Sequence, residues 1–210
     1  MGADMKFGVF FFDGVEPIDV ATFGVLSIAR RIAPEIEILS FAPKAGVVNL
    51  ANGFKIIADY GIDTLPAVDV IIITGGATWV EMIKDEAALA FFRQRAPETI
   101  ISAVCTGAMV LAASGLLDGK QATTRCLGVE GELSPLKRMA NMYPQVDVVH
   151  ASLVDQGLVV TGGGVCLCID MVLHLLQRKL GPDVTDAVAT LLEYKRAWLA
   201  NREALPPVGA

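Results

Sequence analysis

The sequence predicts an α/β doubly wound fold, and three observations carry that expectation. Apolar strand-like runs alternate with helix-like stripes along the chain, the pattern of a sheet covered by helices on both faces. One run, Val68–Thr74 (VDVIIIT), is almost unbroken in its apolar character, as a central parallel strand must be. Glycine-marked turns close three of the units, at Asp13-Gly14, Gly75-Gly76 and Cys105-Thr106-Gly107. Ligands of open α/β sheets bind outside the carboxyl ends of the strands, so these three turns are expected to converge.

Taken in order, Met5–Phe12 is an apolar strand stopped by Asp13-Gly14. Pro17 suits the first turn of a helix, and Ile18, Ala21, Val25 and Ile28 set a helical stripe to about Arg31. Ile36–Phe41 reads as the second strand. Val47–Leu50 and Phe54–Ala58 flank Ala51-Asn52-Gly53 as a hairpin. After the central strand, a helix is expected over 80–95, a strand over 99–104 and a helix over 106–114, the last ended by Gly115 and Asp118-Gly119. Ala122–Thr124 reads as a short strand, 128–141 as a helix and 146–149 as strand. Residues 152–154 and 158–161 bracket the turn Asp155-Gln156-Gly157. Gly162–Gly164 leads into a long helix to about Leu180, and a final helix over 184–198 follows Gly181-Pro182-Asp183. Residues 1–200 thus make one domain, and the proline-bearing 201–210 is expected to be a loose tail.

The 210 residues are 53% hydrophobic and 19% charged. Such an excess favours a sheet buried on both faces, or a substantial oligomer interface. The net charge of −6 and the lack of a basic cluster argue against nucleic acid as a partner. Residues 99–117 carry no charge, but Ser, Thr and Gly interrupt them and acids flank them, so a strand turning into a buried helix fits better than a membrane span. The start of the chain does not read as a signal peptide, and cytoplasmic residence is the default expectation. The four cysteines, Cys105, Cys126, Cys166 and Cys168, show no disulfide framework. Cys166-x-Cys168 is too tight for a zinc pair and reads as packing at a helix start; no metal is expected.

Cys105 stands where a buried strand meets a helix. Such an elbow exposes a side chain at the sheet edge beside backbone N–H groups, and a helix N-terminus favours a thiolate. The residue reads either as a small core hydrophobe or as a nucleophile. Gly75-Gly76 ends the neighbouring strand; its amides either serve a plain βα turn or join those of Cys105 and Thr106 in an oxyanion hole. Asp19, in VEPIDVATF, reads either as a partner of a helix dipole or as an acid reaching Cys105. His174 lies in the apolar stripe VLHLL and reads as packed, and His150 at a strand end is open to either reading. Asp170 reads as structural.

Four stretches together resemble the ThiJ/PfpI superfamily, in particular its isocyanide hydratase branch. They are FFFDGVEPIDVATF (10–23), IIITGGA (71–77), AVCTGAMVLAASGLLDGKQATT (103–124) and LVVTGGGVCLCIDMVLHLL (158–176). The resemblance implies a flavodoxin-like three-layer α/β sandwich with a mostly parallel central sheet and a homodimeric assembly. It implies Cys105 as the elbow nucleophile and Asp19 as a protonated acid bonded to the cysteine sulfur, with Gly76 and Thr106 as N–H donors. Gly75, Ala77, Trp79 and Arg125 become candidate substrate contacts, although Trp79 could equally cap its helix on the outside. The implied reaction is that of a lyase (a hydratase): the thiolate attacks an isocyanide carbon, and water releases an N-substituted formamide. Covalent catalysis of this kind needs no cofactor. Where hydratases read A-T-T-H-W, this chain has Ala122-Thr123-Thr124-Arg125-Cys126; arginine is no base at neutral pH, but it can bind an anion or lower the Cys105 pKa. The alternatives within the superfamily are a glyoxalase or deglycase, a redox sensor working through cysteine oxidation, and a ligand-binding module like those of AraC-type regulators. The sequence ends at Ala210 without an expected helix-turn-helix region, which weakens the last of these.

Overall fold

The alternation of apolar runs and helices resolves into one seven-stranded sheet flanked by helices. In the computed structural model, which describes residues 5–209, the chain begins with β1 (Met5–Phe10), a 3-10 turn (Pro17–Val20), α1 (Ala21–Ala29) and β2 (Ile36–Ala42). The hairpin strands β3 (Gly46–Asn49) and β4 (Lys55–Ala58) follow, then β5 (Tyr60–Gly61), β6 (Val70–Ile73), α2 (Trp79–Met82) and α3 (Glu86–Arg95). Next come β7 (Ile100–Ala103), α4 (Gly107–Ala113), β8 (Gln121–Ala122), α5 (Pro135–Met142) and β9 (Asp147–Val148). β10 (Leu153–Asp155), β11 (Val159–Gly162), α6 (Leu167–Leu180), α7 (Pro182–Leu191) and α8 (Lys195–Ala204) complete the order.

The sheet order is β10-β11-β7-β6-β1-β2-β5, parallel throughout except for β10 against β11. β6 and β7 are buried at every residue, which is why their sequences are uniformly apolar or small. One layer packs α1, α6 and α7 together, and the other joins α2 and α3 to α4. Phe10 anchors the second layer, with its ring centroid 5.0 Å from that of Phe41 and 5.2 Å, edge-on, from that of Phe92 in α3. No helix among the described residues is long and apolar enough to cross a membrane.

Four expectations are corrected. The helix expected over 80–95 breaks at Asp85, whose side chain accepts the Ala88 N–H at 3.0 Å and starts α3 afresh. The helix expected over 128–141 begins only at Pro135, capped by Ser134; Gly128 and Gly131, the latter at φ 85°, keep the preceding loop out of helix. The last helix is two helices, because Glu193 turns into the left-handed region at φ 54°. The tail expected to be loose is tied down. Residues 201–204 belong to α8, and Val208 exchanges backbone hydrogen bonds with Leu153 (3.0 Å) and Asp155 (2.9 Å), covering the edge of β10.

Candidate active site

Between β7 and α4 the chain turns at Cys105, which holds a φ of 52°. That conformation is costly for a residue with a Cβ, and it persists only where the surroundings over-determine it. Here they do. Val104 N–H bonds the Ile73 carbonyl (2.9 Å), Cys105 N–H bonds that of Gly163 (3.3 Å), and Gly107 N–H bonds that of Val104 (2.9 Å). The Thr124 hydroxyl donates to the Cys105 carbonyl at 2.7 Å. Position 107 must be glycine, since a Cβ there would lie 2.5 Å from the Ile73 oxygen.

The three turns meet, as the topology requires. Gly75 N–H donates to Asp19 Oδ2 at 2.7 Å, and Glu16 N–H donates to the Gly75 carbonyl at 2.9 Å. A Cβ on Gly75 would stand 2.6 Å from the Thr106 nitrogen, so only glycine admits this approach. The Thr106 hydroxyl donates to the Gly76 carbonyl and accepts the Gly76 N–H, both at 2.9 Å. The Gly76 amide, expected to face developing charge, is therefore engaged by Thr106. The Thr106 amide, Arg125 and the Thr106 hydroxyl favour a thiolate on Cys105.

Asp19 is fully buried, and its Oδ1 has no hydrogen-bond partner among the described residues. Burial pushes its carboxyl up to about 7, against the lowering effect of the Gly75 N–H; Glu16 adds to the rise and Arg125 opposes it. Cys105 is 3% exposed, and burial pushes its thiol up to about 12, with the neighbouring Asp19 carboxylate contributing. Thr106 and Arg125 act in the opposite direction but do not prevail. The expected depression of this thiol by the helix N-terminus is thus overridden by desolvation. The expected Asp19–sulfur hydrogen bond is likewise not made: Gly75 takes Oδ2, and Oδ1 is unpartnered. The two groups are coupled through charge.

A cleft of about 680 Å³ lies beside this elbow, walled by residues 125–129, by His150, by 164–167 and by Tyr194, Ala197, Asn201 and Leu205; Cys105 itself is not in the wall. Gly164 forms the link: a Cβ there would sit 3.1 Å from Cys105 Sγ and 2.6 Å from Arg125 Cβ. Arg125 lines the cleft, and its buried Nε has no hydrogen-bond partner among the described residues. Ala77 is exposed and Trp79 is buried in α2; neither lines the cleft, which corrects their expected role as substrate contacts, and Gly75 is occupied by Asp19. Cys168 is buried, but Cys166, expected to pack, is exposed on the cleft wall. His150 stands exposed at the cleft, whereas His174 is buried with Nε2 2.7 Å from Asp155 Oδ2. Asp170 accepts from the Tyr194 hydroxyl (2.8 Å) and from Asn201 Nδ2 (3.2 Å), fastening α8 to α6. The residues missed in sequence are Gly164, Tyr194 and Asn201. The Gly162-Gly163-Gly164 run signalled the first of them; nothing local signals the other two, whose position depends on the break at Glu193.

A strained cysteine elbow beside a buried acid, at the carboxyl edge of a doubly wound sheet, defines a class of α/β proteins built around a thiol. The chain belongs to the DJ-1/PfpI family, whose model matches residues 5–178. It is 30% identical over 196 residues to an isonitrile hydratase of Pseudomonas putida, covering 92% of this chain and 80% of that one. It is also 30% identical over 148 residues to the HTH-type transcriptional regulator GbdR of Pseudomonas aeruginosa, of which it spans 38%. The fold is similar to that of DJ-1beta from Drosophila melanogaster (TM-score 0.76, 18% identity, 90% of this chain and 97% of that one). A ThiJ/PfpI family protein from Pseudomonas syringae is similar too (TM-score 0.77, 22% identity, 92% and 76%).

Proposed function

We propose that this chain is a cofactor-independent hydratase acting on a small molecule through Cys105, of the isocyanide hydratase type. The observation that carries the reading is Cys105 on its strained elbow, electrostatically coupled to a buried carboxyl with an unpartnered Oδ1. The similarity to the Pseudomonas putida isonitrile hydratase supports it. The working unit is taken as a homodimer, as the resemblance implies.

In this mechanism Asp19 accepts the thiol proton as the sulfur attacks the terminal carbon of R–NC. The same proton is then delivered to that carbon, giving the thioimidate Cys–S–CH=N–R. Asp19 next takes a proton from water as it adds to this carbon. Asp19 passes that proton to the imine nitrogen; as the C–S bond breaks, the remaining hydroxyl proton goes by way of Asp19 to sulfur, and R–NH–CHO leaves. One water is consumed, and no electrons change hands. The Thr106 amide stabilises negative charge on sulfur in both thiolate-like stages.

Formamide formation from an alkyl or aryl isocyanide tests the reading. Wild type turns over, Cys105→Ala loses turnover entirely, and Asp19→Ala loses about 10²–10⁴-fold, the range of general acid–base catalysis. A silent wild type, or a Cys105→Ala variant that still turns over, overturns it. In the silent case α-oxoaldehydes become the substrates to examine.

A further inference from the structure

We infer that Arg125 makes the cleft an anion subsite, and that the molecule attacked by Cys105 carries a carboxylate close to its electrophilic carbon. The inference rests on the reading of Cys105 as a nucleophile and names the class of substrate it meets.

The backbone before Arg125 is fixed to the elbow, because the Thr124 hydroxyl holds the Cys105 carbonyl. The stem of Arg125 lies against Gly164, where a Cβ would stand 2.6 Å from its Cβ and 2.7 Å from its Cγ. The same glycine stands against Cys105 Sγ, so the thiol and the arginine stem flank one point on the cleft floor. Among the described residues the guanidinium has no hydrogen bond and no ion pair, and its Nε is buried. Only Nε is buried without an acceptor, the residue as a whole being half-buried, and an unpaired buried donor is costly. Among the described residues no Asp or Glu lines the cleft, and the buried Asp19 meets Arg125 through charge without a hydrogen bond. The remaining walls are apolar or neutral, apart from the exposed His150.

A guanidinium in such a place calls for an acceptor brought in by the ligand. Its planar fork matches the two oxygens of a carboxylate. Among the described residues the lining holds no second arginine or lysine, while the N-terminus of α6, at Cys166 and Leu167, stands on the same wall and adds the favourable end of a helix dipole for an anion. A single arginine fork matches the paired oxygens of one carboxylate, and the volume of the cleft suits a small molecule. With the carboxylate on Arg125, the rest of the ligand lies over Gly164, towards Cys105 Sγ.

The test compares two reagents that differ only in charge. Iodoacetate and iodoacetamide both alkylate a thiolate: the S–C bond forms, iodide leaves with the C–I electrons, and the thiol proton passes to Asp19 or to solvent. Peptide-resolved mass spectrometry reads Cys105 apart from Cys126 and Cys166. The iodoacetate-to-iodoacetamide rate ratio at Cys105 cancels any change in thiol reactivity. It should fall at least tenfold in Arg125→Gln and be largely kept in Arg125→Lys; an unchanged ratio in Arg125→Gln overturns the proposal. Calorimetric titration with acetate and acetamide reads the same subsite without a covalent step, should Cys105 resist both reagents. Acetate should bind wild type at least tenfold more tightly than Arg125→Gln while acetamide does not discriminate, and equal acetate affinities overturn the proposal. Neither measurement uses isocyanide turnover, so failure of the hydratase reading leaves a distinct signature: anion preference retained, formamide absent.

Discussion

Burial raises the pKa values of both Cys105 and Asp19, and the two groups are coupled through charge. With the carboxyl at about 7 and the thiol at about 12, the singly protonated pair exists above neutral pH and persists well into the alkaline range. In the mechanism proposed above this is the competent form, because moving its proton from sulfur to carboxyl creates the thiolate without changing the net charge. The rate of Cys105 alkylation by iodoacetamide should therefore rise about tenfold per pH unit below 7 and level off above it, as one-proton titration dictates. In Asp19→Asn the step near 7 should vanish, leaving a rise that follows the thiol alone at higher pH. A step near 7 that survives in Asp19→Asn assigns it to another group. Sequence made Cys105 legible, since an apolar strand followed at once by a small, glycine-bearing helix start leaves few other geometries. It did not make the raised thiol pKa legible. Local sequence argues for a thiolate at a helix N-terminus, whereas the surroundings of the sulfur are set by residues as remote as Asp19, through its charge, and Gly164, which stands against it.

At the scale of elements, the strands were readable because each carries its burial in its own composition. β6 and β7 are buried at every position, and their ends fall within two residues of the expected ones. Helix ends were less readable where a side chain rather than glycine or proline sets the break. Asp85 caps α3 from within an apparently continuous stripe, and Glu193 divides α7 from α8. The second break has a purpose in the tertiary structure: it brings the Tyr194 hydroxyl and Asn201 onto Asp170, and α8 thereby becomes a wall of the cleft. Asn201→Ala removes donors from a buried carboxylate, a loss of about 1–3 kcal/mol. For a chain of this size, about 2–4 °C of melting temperature accompanies each kcal/mol. Thermal unfolding should show that drop, and amide exchange should speed up selectively over 195–204. An unshifted melting temperature with unchanged exchange separates α8 from this clamp.

Across the whole molecule, the sheet sets the cost of its own site. β1, β6 and β7 lie side by side and parallel, so the turns after them deliver Asp19, Gly75 and Cys105 to one buried point. The convergence follows from strand order, which local patterning suggests only through the glycine pairs. Placing a carboxyl there without full hydrogen bonding trades stability for chemistry. The sign follows from linkage. Asp19 has a folded pKa raised from 3.8 to about 7, so the folded state holds a proton that the unfolded state has released between those values. Its contribution is most favourable below the unfolded pKa and is lost as pH rises through 7, a change on the order of 4 kcal/mol in all. Asp19→Asn keeps an acceptor for the Gly75 N–H but cannot ionise. The variant should match wild type in stability near pH 4, exceed it by a margin that widens up to pH 7, and hold that margin above. Urea unfolding of both proteins at pH 4, 5.5, 7 and 8 measures the gap. A gap that does not change with pH means Asp19 ionises in the folded protein as it does in water, and the carboxyl raised to about 7 beside Cys105 is then lost.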